Sequence, residues 1–218
     1  MSLRPVTLVH TCGMDEPAER AQAAGPAMGA VLAGGRGSRI GGAKAVAELA
    51  GRPLIAYPVA AVAAAGLEAV VVAKRDSELP PLGCPTLHEP DAPRHPLCGI
   101  VAALRHARTR PLVVVGCDMP FADARLLAWL GSLRQPLAVA SVAGFAQPLL
   151  ARYDNALLPA LEAALERDWS LRRTVESLAP RIVAEDELAR FGDPRRLCFN
   201  VNTFADLERA ERLLGPDS

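Results

Sequence analysis

A short apolar run, Met28 to Ala33, stops abruptly at Gly34-Gly35, and the loop that follows carries glycines at 34, 35, 37, 41 and 42 together with Arg36, Arg39 and Lys44. A buried strand that feeds such a loop favours folds that gather ligands at strand ends. Glycine amides have no Cβ in the way, so a polyphosphate can approach the backbone closely. The cations supply charge where the phosphates would sit. Glycine content alone also describes a plain surface loop, but this loop follows the first strong strand directly and its cations are spread along it. It lacks the Gly-Lys-Ser/Thr of a P-loop, and its glycines are not in register with a dinucleotide fingerprint and a downstream ribose acid.

Beyond the loop, strand-like and helix-like stretches alternate. Gly51-Arg52-Pro53 reads as a turn, with Pro53 in the first turn of a helix running to about Ala65 and ending at Gly66. Glu68 to Ala73 is the β-branched run of a strand buried on both faces, so strand, helix and strand make one parallel βαβ unit. Thr86 to His88 reads as a strand, Ile100 to Ala107 as a helix, and Pro111 to Gly116 as the strongest strand. Asp123 caps a helix reaching about Leu133. Pro136 to Ser141 is a further strand, and Gly144 to Leu150 another, with Pro148 indicating an edge or a bend. Helices are expected over Leu157 to Arg167 and Trp169 to Leu178, a strand over Arg181 to Ala184, a short strand and turn over Cys198 to Thr203, and a Thr203-capped helix over Phe204 to Leu214. The alternation places the chain in the α/β class.

Lysine plus arginine balances aspartate plus glutamate at 24 each, which gives no broad field for nucleic acid or an anionic membrane. No apolar run approaches the ~20 residues that cross a bilayer. Cysteines 12, 84, 98, 117 and 198 form no C-x-x-C pair, as suits reduced thiols in a cytoplasmic protein. Residues 1–26 lack the apolar core of a secretory signal and read as a poorly structured leader, followed by one domain over 27–218.

Asp118 stands directly after the strongest strand, where α/β sheets gather ligand-binding groups. A carboxylate there can hold Mg²⁺, which takes oxygen ligands and shares them with phosphates. Aspartate is also common in turns and caps, but Asp123 already supplies the next cap. No histidine pair has zinc spacing.

These motifs together resemble the molybdenum cofactor guanylyltransferases of the NTP-transferase superfamily. LAGGRGSRIGG with Lys44 is similar to their nucleotide signature. Cys117-Asp118-Met119-Pro120-Phe121 resembles their strand-end motif, Pro96-Leu97-x-Gly99 their PLAG turn, Gln147-Pro148-Leu149 their QPL stretch, and Phe199-Asn200-Val201-Asn202-Thr203 their ending. The resemblance implies a three-layer α/β/α sandwich, Rossmann-like, with a mostly parallel sheet of the nucleotide-diphospho-sugar transferase type. It implies transfer of GMP from GTP to the phosphate of molybdopterin or molybdenum cofactor, with Mg²⁺ as cofactor and pyrophosphate released. Arg39, Lys44 and Asp118 are then catalytic, and Asp118 is the metal ligand. Leu32, Ala33, Gly34, Gly35, Lys44 and Asp118 bind the nucleotide together with either Glu89 or Asp91; Gln147, Asn200 and Asn202 face the acceptor. Transient contact with molybdenum-cofactor proteins is also implied, but no nucleic acid or membrane. Such chemistry needs no serine or histidine base, because a phosphomonoester with a second pKa of about 6 is already largely ionised.

The chain departs from the pattern at two places. Ala43 precedes Lys44 where the family carries aspartate, in a loop one residue shorter, and this spacing also resembles the molybdopterin cytidylyltransferase. Ala73-Lys74 stands where asparagine is frequent. A nucleotidyltransferase for another phosphorylated acceptor and a nucleotide-binding module without turnover are the remaining alternatives.

Overall fold

The computed structural model describes residues 25–34, 44–93 and 95–215. Strands β1 (Met28–Leu32), β4 (Glu68–Ala73), β5 (Thr86–His88), β6 (Leu112–Gly116), β7 (Leu137–Val142), β8 (Phe145–Tyr153) and β9 (Arg181–Val183) form a seven-stranded sheet in the order β5-β4-β1-β6-β8-β7-β9. β8 is antiparallel to both neighbours, and every other pairing in this sheet is parallel.

Side-chain alternation along these strands divides the core between two faces. Val31, Val71, Val113 and Val115 pack with Val62 of helix α1 (Ala56–Ala64) and with Leu126, Leu127 and Leu130 of α3 (Ala124–Ser132). Ala30, Leu32, Val70, Val72 and Val114 point the other way, onto α2 (Pro96–Ala107), α4 (Leu158–Glu166) and α5 (Leu171–Ser177). The result is the expected three-layer α/β/α sandwich. A small third cluster of Leu49, Leu54, Val201 and Ala210 fastens the C-terminal segment to the hairpin of β2 (Glu48–Leu49) and β3 (Arg52–Pro53).

Several local expectations are corrected. Pro53 pairs with Glu48 in that hairpin, and the helix begins only at Ala56. Helix α2 starts earlier than its apolar pattern indicates, because His95 caps it and Pro96 occupies its first turn, where no N–H is missed. β8 is an interior strand rather than an edge. It tolerates Pro148 because the β7 register jumps from Val139–Ala151 to Ala140–Gln147, leaving the proline in an irregularity that needs no ladder donor. Cys198 to Thr203 is not a strand; this stretch follows the one-turn helix α7 (Pro194–Leu197) and leads into α8 (Phe204–Leu214). Neither α7 nor the similarly short α6 (Glu185–Leu188) shows in the periodicity. No described helix is long and apolar enough to cross a membrane.

Candidate active site at the β1–β6 crevice

The chain moves outward from β1 to β4 and β5, then returns to β6 on the other side of β1. That reversal opens a crevice at the C-terminal ends of β1 and β6, the usual ligand site of such sheets. The ladder holds both strand exits in place: Ala33 N–H donates to Val72 O at 2.8 Å and Cys117 N–H to Leu32 O at 3.0 Å. A cavity of about 410 Å³ opens there, lined by Leu32, Gly34, Lys44, Val72, Glu89, His95, Pro96, Gly99, Cys117, Asp118 and Leu149.

Lys44 Nζ donates to Asp118 Oδ2 at 2.9 Å and to Asn202 Oδ1 at 2.5 Å. Asn202 reaches this point because Val201 N–H donates to Asp118 O at 2.8 Å, which docks the C-terminal segment on the end of β6. A Cβ at Gly116 would lie 2.5 Å from Asp118 Oδ1, so glycine lets the carboxylate fold back over the strand end. Burial raises the Cys117 thiol pKa, with the Asp118 charge adding to the shift and Lys44 opposing it, so the thiol stays protonated. Among the described residues no group of three or more His, Cys, Asp or Glu side chains could cage a metal. One carboxylate nevertheless suits Mg²⁺, which keeps waters and takes further ligands from substrate phosphates.

The same cavity is lined by apolar Leu32 and Val72 and by a buried carboxylate. Glu89 is 6% exposed. Its Oε1 lies 2.3 Å from where a Cβ on Gly34 would stand, and its Oε2 lies 3.1 Å from that of Gly99. The two glycines, from the LAGG and PLCG motifs, thus enclose one carboxylate. Lys74 Nζ lies 3.4 Å from Glu89 Oε1 and donates to Pro90 O at 2.5 Å. His95 accepts at Nδ1 from Leu97 N–H, 3.1 Å, and its Nε2 lies 3.2 Å from Leu171 N of α5. Burial lowers its pKa against the opposing charge of Asp168, and N–H groups facing the ring also favour the neutral form.

The structure therefore brings together Leu32, Gly34, Lys44, Glu89 and Asp118, with Asn202 joined through Lys44. Ala33 is buried beside them with its N–H in the ladder. Of the two acids left open, Glu89 lines the cavity, whereas Asp91 is exposed and does not. Asn200 Nδ2 donates to Cys198 O at 2.9 Å and Gln147 Nε2 to Phe145 O at 3.3 Å, and neither lines the cavity. Gly35 and Arg39 lie outside the described residues. His95 and Leu149 also line the cavity and Lys74 pairs with Glu89, and none of the three is among the expected site residues. His95 had a signal in its position just before the PLCG turn, whereas Lys74 registered only as a departure from the expected asparagine.

The chain is similar to known proteins over most of its length. The family described as "MobA-like NTP transferase domain" matches residues 29–182. A molybdenum cofactor guanylyltransferase of Pseudomonas putida is 36% identical over 184 residues, covering 77% of this chain and 93% of that protein. One from Cereibacter sphaeroides is 33% identical over 198 residues, covering 87% and 98%. Among solved structures, molybdopterin-guanine dinucleotide biosynthesis protein A from Archaeoglobus fulgidus superposes with a TM-score of 0.72 at 26% identity, covering 86% of this chain and 98% of that one. 2-C-methyl-D-erythritol 4-phosphate cytidylyltransferase from Thermus thermophilus, at TM-score 0.63 and 21% identity over 86% and 98%, shares the fold. With its cavity at the switch point and its motifs in order, this chain belongs to the MobA-like NTP transferase family and is a nucleotidyltransferase.

Proposed function

We propose that this protein transfers GMP from GTP to the phosphate of molybdopterin or molybdenum cofactor, releasing pyrophosphate, in a Mg²⁺-dependent reaction. The observation that carries the reading is the Lys44–Asp118–Asn202 cluster at the β1–β6 crevice, with the buried Glu89 carboxylate lining the same cavity. The base lies between Leu32, Val72 and Gly99 with its polar edge on Glu89, and the phosphates point toward Lys44 and Asp118. Asp118 would hold Mg²⁺, which would supply positive charge against the triphosphate. Lys44 orients the phosphates and, together with Arg39, stabilises charge building on the leaving pyrophosphate. Asn202 fixes the Lys44 ammonium, and the acceptor approaches from its side of the cavity. The acceptor phosphate is its own nucleophile, so the protein's task is alignment. The relatives named as guanylyltransferases support guanine as the base and the molybdenum cofactor as the acceptor.

The test is calorimetric binding of GTP, CTP and ATP with Mg²⁺, followed by turnover on molybdopterin. GTP should bind tightest and be consumed. Preference for CTP would move the assignment to a cytidylyltransferase, and tight GTP binding without transfer would reject the acceptor.

A further inference from the structure

The chain contains two lysines among its 24 lysine and arginine residues. Each is paired with a carboxylate that lines the cavity: Lys44 with Asp118 and Lys74 with Glu89. Lys74 is the deeper of the two, its side chain 1% exposed against 14% for Lys44. It does not itself line the cavity but stands behind the wall. Its backbone is held by Ser77, whose Oγ accepts from Lys74 N–H at 3.2 Å and whose N–H donates to Lys74 O at 3.1 Å. Glu89 N–H donates to Ala73 O at 3.0 Å, so cation and anion sit on adjacent, hydrogen-bonded strand ends.

Burying an ammonium is costly unless an anion and hydrogen-bond acceptors are fixed around it. A compact ammonium with three donors also fits a gap that a planar guanidinium would overfill. A chain that uses arginine almost everywhere else has kept lysine at two places, both against cavity carboxylates.

We propose that Lys74 is a positioning residue for base selection: from behind the cavity wall it holds the Glu89 carboxylate ionised and fixed against the nucleobase, so that the site takes guanine and rejects adenine. This rests on the proposed role of Glu89 in nucleotide binding. An ionised carboxylate accepts from the N1–H and 2-amino group of guanine. Adenine offers it a lone pair at N1, and a buried mismatch of that kind is strongly disfavoured. A protonated carboxyl can donate to adenine N1 and loses much of the distinction.

Among the described residues, the following groups stand near Glu89. Lys74 closes the β4 side. On α2, burial chiefly raises the Cys98 thiol, with the Glu89 charge adding and Lys74 opposing. His88 precedes Glu89 on β5 and is exposed. His95, lowered by burial, and the Lys44–Asp118 pair line the same cavity. Cys98 and His95 therefore stay neutral from about pH 7 to 8.5, while a buried carboxyl that has lost a neighbouring cation can titrate at about pH 8–9.

The experiment measures GTP and ATP binding with Mg²⁺ by calorimetry at about pH 7 and about pH 8.5. It uses the full chain and its Lys74→Met, Lys74→Gln and Glu89→Gln variants. The unaltered protein should prefer GTP at both pH values. Lys74→Met should lose about tenfold or more of that preference at the lower pH and regain about tenfold at the higher one, as expected for a carboxyl that must shed a proton. Lys74→Gln keeps a donor for Pro90 O without the charge. It should follow the same pattern, and it carries the test should Lys74→Met not fold. Unchanged preference in the Lys74 variants overturns the proposal, as does an equal, pH-independent loss for both nucleotides, which marks a purely structural lysine. If Glu89→Gln loses the preference while the Lys74 variants keep it, Glu89 reads the base and Lys74 does not set it. Failure of the unaltered protein to bind GTP would instead remove the nucleotide reading, and this inference with it.

Discussion

Replacing Gly34 by alanine places a methyl carbon 2.3 Å from Glu89 Oε1, whereas the same change at Gly99 leaves 3.1 Å to Oε2 and 3.3 Å to Leu32 Cδ2. Non-bonded carbon contacts are comfortable near 3.5 Å, so the first substitution demands a displacement of about 1 Å and the second a few tenths. The tip of a glutamate usually yields cheaply. Here it is buried and held by Lys74 at 3.4 Å, so the movement strains an ion pair in low dielectric. Gly34→Ala should therefore cost about 1–3 kcal/mol, as overpacking does. At this chain length that is a fall in melting temperature of about 2–4 °C per kcal/mol. GTP affinity should drop about tenfold or more, because a 1 Å shift takes a hydrogen bond out of range. Gly99→Ala should show less than half of either effect. Glu89→Asp, one methylene shorter, should restore part of the stability lost in Gly34→Ala when the two are combined, a coupling that a double-mutant cycle measures. A Gly34→Ala protein that melts and binds GTP like its parent would refute the placement of Glu89 against that glycine.

Three further outcomes concern the ends of the domain. Thr203 and Asp206 form a reciprocal capping box on α8, so Thr203→Ala should cost about 1 kcal/mol and lower the melting temperature by about 2–4 °C. For Asp206, burial raises the carboxyl pKa, but hydrogen bonds from the Thr203 hydroxyl and from the N–H groups of Asn202 and Thr203, with Arg209 nearby, lower it overall. A depressed carboxyl contributes stability that is present above its unfolded pKa of about 3.9 and is lost as pH falls through the folded value. The melting-temperature difference between the parent and Asp206→Asn should therefore shrink on acidification below about pH 4; a constant difference would contradict this. Removing residues 1–26 should leave folding and nucleotide binding intact, at the cost of the bond from Arg110 Nε to Pro26 O. Loss of both would show that the segment packs onto the domain.

What the sequence made legible follows from the range of each interaction. Asp118 could be read because strand end and carboxylate are adjacent in the chain, and the strand's apolar run is unambiguous. The two-faced sheet was legible for the same reason, in β-branched runs buried on both sides. Glu89 and Asp91 could not be separated, because spacing does not tell which side chain turns back into the crevice; the enclosing glycines decide it, and they lie far apart in sequence. Lys74 stood out only as a departure from the expected asparagine, and the fold reveals it as buried. The Lys44–Asn202 bond spans 158 residues and no local pattern announces it. Pro148 left an edge or a bend open, and only the register irregularity beside it excludes the edge, since an irregularity inside a sheet leaves no periodic trace.

Release of pyrophosphate from GTP with Mg²⁺, measured with and without molybdopterin on the parent and on Asp118→Ala, tests the central claim most directly. The substitution leaves Lys44 bonded to Asn202 Oδ1, so folding should persist and melting can be checked in the same samples. The account predicts molybdopterin-dependent release by the parent and a loss of about 10³-fold or more in the variant, since the proposed metal ligand and one of the two anchors of Lys44 disappear together. Release that is equal in the two proteins, or independent of molybdopterin, would contradict it.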